Sequence, residues 1–137
     1  MPRLETRGRA RALQALYAWD LRDGPALDRV AALVFDDLMV ATEERLFAQA
    51  LLRIVQAQGA ELDAELGEVT ANWRLDRLGA IERCVLRLAA AELVQGGTPP
   101  RVVLQESVRL AERFGSAKSA RFVNGVLDAL ARRMGRL

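Results

Sequence analysis

Apolar residues recur along this chain at steps of three and four, the period of a helix with one buried face. A first helix is predicted over about Leu4–Leu21, with Leu13, Leu16, Tyr17 and Asp20/Leu21 on one side. A second is predicted over Pro25–Val40, turning Val30, Leu33, Val34 and Leu38 inward. A third carries Leu46, Phe47, Ala50, Leu51, Ile54 and Val55, and a short fourth runs from Ala60 to Val69. The clearest buried stripe is Ile81, Cys84, Val85, Leu88 and Leu93, within Ala80–Gln95. Two more helices are predicted over Arg101–Phe114 and from the Ser116/Ser119 region to Met134. The reading is an all-α protein of about seven helices.

The breaks carry the expected punctuation. Gly24-Pro25 ends the first helix and starts the next, with proline in the first turn. Thr42 is the predicted N-cap of the third helix, with Glu43 and Glu44 in its positive first turn. Gly59 stops that helix, "GGTPP" separates the fifth from the sixth, and Gly115 ends the sixth. "TANWRLDRLG" reads as a turn with a helical kink.

One dipeptide argues against helix. Asn124-Gly125, flanked by Phe122-Val123 and Val126-Leu127, is a hairpin signal. Yet Phe122, Val123, Val126, Leu127, Leu130 and Met134 form one helical stripe, and periodicity outweighs the dipeptide. Glycine there costs about 1 kcal/mol relative to alanine. Close approach of a neighbouring helix at Gly125 is the expected compensation, and Asn124 is expected either to bond to a neighbouring backbone or to belong to a binding face.

Composition fits one soluble domain over residues 1–137, with helical halves of about 1–70 and 71–137. The single cysteine, Cys84, lies on an apolar stripe and reads as a buried structural thiol in a reducing cytoplasm. The start of the chain lacks the apolar core of a secretory signal, and no apolar run is long enough for a membrane span. Charge is uneven: net +3 over residues 1–22, −6 over 23–100 and +5 over 101–137. If the ends meet, they make one basic face.

There is no histidine, so the commonest general base and metal ligand are missing. Asp36-Asp37 and Glu43-Glu44 diverge around their helices and read as surface charge and capping. No phosphate-binding glycine loop is present, and neither catalysis, a cofactor nor a metal is expected. What remains is binding. Arg7, Arg9 and Arg11, with Arg3 nearby, make an arginine-rich arm, followed by Gln14 and Tyr17. Arginine contacts phosphate, glutamine bonds to base edges and tyrosine stacks on unpaired bases. The alternative is a solvated arm and a Tyr17 packed in the core with a wet hydroxyl.

Three stretches together carry a resemblance. "RGRARALQALYAWDL", "WRLDRLGAIERCVLRLAAAELV" and "PPRVVLQESVRLAERFGSAKSARFVNGVLDAL" resemble the NusB family of bacterial transcription antitermination factors. The resemblance covers most of the chain and is weakest over residues 23–60. It implies an all-helical fold of two small packed bundles and a heterodimer with NusE, a small-subunit ribosomal protein. The pair would bind single-stranded boxA RNA and help RNA polymerase pass terminators, notably in ribosomal RNA operons. The resemblance places RNA contacts at Arg7, Arg9, Arg11, Gln14 and Tyr17, and next at Lys118, Arg121, Phe122 and Asn124. Between the arginines and "ALQALY" this chain is about two residues shorter than the family pattern, which rotates the arm by about 200°. "GSAKSAR" is basic where an acid is usual, and Gln105 stands where asparagine is usual. Partner contact is expected around Trp73, Asp76, Arg77 and Glu82. A homodimer through the RNA face, an accessory domain and a helical adaptor without RNA contact remain open.

Overall fold

The computed structural model describes residues 3–22, 24–70 and 75–137. Six α-helices and one short 3-10 turn follow in order: α1 Leu4–Asp20, α2 Leu27–Asp37, α3 Thr42–Val69, the turn Leu75–Arg77, α4 Ala80–Gln95, α5 Pro100–Phe114 and α6 Ala117–Arg133. Helices α1, α2 and α3 pack on one another, as do α4, α5 and α6. The two bundles join through α3 against α4, α1 against α4 and α3 against α6. One continuous core runs through both, with Leu13, Leu16, Phe35, Leu51, Leu66, Leu86, Leu93, Leu127 and Leu130 fully buried.

The all-α reading and the two bundles hold, with local corrections. The predicted third and fourth helices are one bent α3. Only Gln58 leaves helical geometry (φ −120°, ψ 21°), and the chain resumes its helix through Gly59. Pro25 lies ahead of α2 rather than in its first turn, and Ala26 is the N-cap. Thr42 is the first residue of α3, not its cap, which is Ala41. Leu33 and Leu38 are exposed, because α2 turns Leu27, Val30, Ala31 and Phe35 inward instead.

Helix α2 ends in an unusual way. Met39 adopts φ 51°, a left-handed conformation that favours glycine. Val40 N–H then donates to the Phe35 carbonyl and Met39 N–H to that of Asp36. The Arg45 guanidinium holds this turn by donating to the Val40 carbonyl (2.8 Å), the Phe35 carbonyl (3.0 Å) and the Asp36 carboxylate (2.7 Å). At α6 the Ser116 hydroxyl accepts from Ser119 N–H at 3.1 Å and caps the helix. The helix runs unbroken through Asn124-Gly125, so the hairpin signal is overridden.

Candidate nucleic-acid interface

Helix geometry sorts the arginine arm. Residues two apart on a helix diverge by about 200°, whereas Arg7, Arg11 and Gln14 fall within about 60° of one another. Arg7 keeps 42% of its side chain exposed while its Nε donates to Glu44 at 2.8 Å. Arg11 Nη1 donates to Gln14 Oε1 at 3.0 Å, which fixes both side chains at the surface of α1. Arg11 Nε is buried without a hydrogen-bond partner among the described residues. Tyr17 flanks this face and is 36% exposed, so it is not the core tyrosine of the alternative reading.

Arg9 must be corrected. It points into the protein and is only 6% exposed. Its Nε and Nη2 donate to the two Glu92 oxygens at 2.8 and 2.6 Å, and Nη1 donates to Glu106 at 3.0 Å. The guanidinium also lies over the Phe47 ring, 5.3 Å from its centroid. Thr6 donates its hydroxyl to the same Glu106. Burial works against the charge on Arg9, but the Glu92 and Glu106 carboxylates outweigh it and its pKa is raised. As folded, Arg9 has no face to offer RNA. It positions the arm.

The second cluster forms where α6 begins beside the start of α4. Lys118, Phe122, Ser116, Ser119, Glu82 and Leu78 line a largely apolar groove of about 330 Å³. Ser119 Oγ donates to Glu82 Oε1 at 3.0 Å. Glu82 lies in the first turn of α4, where the helix dipole favours an anion. Its carboxylate folds back over Gly79, where a Cβ would stand 2.7 Å from Glu82 Oε2. The groove therefore unites Lys118 and Phe122, expected at RNA, with Glu82, expected at a protein partner.

Arg121 is exposed beside Lys118, but Asn124 lies about 160° around α6 from Phe122 and faces elsewhere. Gly125 is exposed, and a Cβ there would meet nothing within 4 Å. The expected close helix approach at Gly125 is thus wrong. Gly8 fills that role instead: a Cβ there would stand 2.7 Å from the Phe47 ring.

Asp76 and Arg77 are exposed in the 3-10 turn, and Trp73 lies outside the described residues. Arg83 fastens this turn. Its Nη1 donates to the Leu75 and Leu78 carbonyls at 3.1 and 2.8 Å, while Nη2 reaches Asp20 at 2.5 Å. Arg87 joins Asp20 at 3.1 Å to Asp63 at 2.9 Å. Burial pushes the Asp20 carboxyl up, but the two guanidiniums more than reverse this and hold it below its ordinary value.

With this geometry in place, the comparisons are informative. Residues 6–132 match the model of the family described as NusB family. The chain belongs to the NusB family. It is 40% identical over 130 residues to the transcription antitermination protein NusB of Solibacter usitatus, covering 93% of this chain and 88% of that protein. Its fold is similar to that in a crystal structure of the antitermination factors NusB and NusE in complex with dsRNA, with TM-score 0.87 and 30% identity over 97% of this chain and 99% of that one. The NusB of Aquifex aeolicus, solved in solution, gives TM-score 0.84 and 30% identity over 96% and 89%. Membership makes the chain a bacterial antitermination factor of a non-catalytic family.

Within the NusB fold, the residues missed from sequence are the buried ionic ones. Arg9 and Asp20 lie on the α1 stripe of Leu13 and Leu16, at i, i+4, i+7 and i+11. Glu92 sits at the same spacing after Val85, and Glu106 follows Val103 by three. A charge on an apolar stripe was the available signal. Cys84 is buried as expected, and desolvation pushes its thiol up to about 12.

Proposed function

We propose that this NusB-family chain binds single-stranded boxA RNA together with NusE and promotes read-through by RNA polymerase, notably of ribosomal RNA operons. The carrying observation is the near full-length likeness to a NusB solved with NusE and dsRNA, which supports RNA and NusE as partners, while the choice of single-stranded boxA rests on the family resemblance. The geometry supports it. Arg7, Arg11 and Gln14 share the outward face of α1 beside Tyr17, which suits phosphate contact, base-edge bonding and stacking. Lys118, Arg121 and Phe122 supply the α6 contribution, while Asp76, Arg77 and Glu82 face NusE. The chain acts as one domain in the cytoplasm. Among its described residues no helix is long and apolar enough to cross a membrane.

The test is a titration with boxA RNA and a scrambled control, with and without NusE. Replacing Arg7, Arg11 and Tyr17 together by alanine should weaken boxA binding about 150-fold, since each phosphate or stacking contact is worth roughly 1 kcal/mol or more. Arg9 is left intact because its loss would disturb the fold. Unchanged affinity in the triple variant would favour the adaptor reading without RNA contact.

A further inference from the structure

A second groove runs between the outward faces of α5 and α6, with a volume of about 550 Å³. Arg101 and Arg109 rise from α5 and Arg132 from α6, with Gln105 and Asn124 between them. One carboxylate, Asp128, sits among them and accepts from Arg132 at 2.9 Å. Three guanidiniums thus share the groove with one lining acid, and Arg109 also lies 3.5 Å from Glu106. Arg109 keeps 68% of its side chain exposed and Arg132 keeps 63%. Arg101 and Asn124 are exposed too. Gly125, next to Asn124, leaves open space beside the helix, and no packing in the fold repays its helical cost.

We propose that this groove holds the phosphate backbone of RNA and extends the footprint beyond the α1 arm. Arg101 and Arg109 are eight residues apart, about 12 Å along the helix. That separation suits neighbouring phosphates along one strand. Gln105 and Asn124 offer amides that both donate and accept, which suits phosphate oxygens and ribose hydroxyls. Among the described residues no aromatic side chain lines the groove, so it tracks a backbone without stacking bases and without sequence preference. The groove also starts beside the arm. Glu106 accepts from Thr6 and Arg9 of α1, and its other oxygen lies 3.5 Å from Arg109.

This inference rests on the RNA reading above, and the experiment separates the two. The full chain, with and without NusE, is titrated with boxA RNA of about 12 nucleotides. The same RNA is then extended by about 12 uridines, at either end in turn. One extension should tighten binding about tenfold, and Arg101→Gln/Arg109→Gln should remove that gain while leaving the short RNA unchanged. The salt dependence of the long complex should fall by about 1.4 in slope, the loss of two single-strand phosphate contacts. Arg101→Lys/Arg109→Lys should keep most of the gain. If neither extension tightens wild-type binding, or the Gln variant keeps the full gain, the groove is not an RNA site. Failure of wild type to bind even the short RNA removes both readings. Loss of NusE affinity alone in the Gln variant would make the groove a protein interface and overturn the proposal.

Discussion

Individual side chains decide more here by what they are paired with than by their charge. Arg9 looks like a nucleic-acid residue in sequence and behaves as a core residue in the fold. Arg9→Ala leaves Glu92 buried without its cation and Glu106 with only the longer contact to Arg109, and the expected loss is about 3–5 kcal/mol of stability. Denaturant unfolding measures it, and a loss below about 1 kcal/mol would contradict the assignment. Asp20 gives a pH signature. Its folded carboxyl titrates below the unfolded one, so its stabilisation is complete above the unfolded value near 4 and is lost as pH falls through the folded value. Wild type should therefore exceed Asp20→Asn in stability at pH 7, with the gap closing toward pH 3. A constant gap from pH 7 to pH 3 would show that Asp20 acts by packing alone.

At the level of helices, the close approach that sequence assigns to Gly125 belongs to Gly8. Gly125→Ala adds a methyl group to open space in a helix interior and should raise stability by up to about 1 kcal/mol. Gly8→Ala drives a methyl group into the Phe47 ring between α1 and α3 and should cost about 1–3 kcal/mol. Thermal midpoints of the two variants should move in opposite directions, and a shift of the same sign in both would refute this account. The contrast shows what was legible. Helix positions followed from periodicity, because each element's buried stripe is local information. Which glycine meets a neighbour is not local. Nor was the join of residues 42–69 into one bent α3, since Gly59 signals a stop that packing on both sides overrides.

For the whole molecule, the candidate site was only partly readable. Arg7, Arg11, Gln14 and Tyr17 share a region because one helix carries them. The meeting of Lys118 and Phe122 with Glu82 depends on α4 and α6 coming together, which no spacing reveals. The bundles share one core and three inter-bundle helix contacts, so they should unfold together. Urea melts followed by helical circular dichroism and by tryptophan fluorescence should superimpose. Separated transitions would mean that the halves are independent domains.

The Glu106 carboxylate also bears on the order in which the protein is made. Arg9 emerges early, but one of its two carboxylate partners lies 97 residues later. Closing that contact is slow relative to helix formation, and it must wait until α5 has been synthesised. The anchorage of Arg9, begun by Glu92 of α4, is therefore completed only once α5 is in place. A polypeptide ending before Glu106 retains Glu92 as a partner for Arg9 but lacks the carboxylate that also ties Thr6. Two successive helices, α4 and then α5, thus complete the setting of α1 in turn.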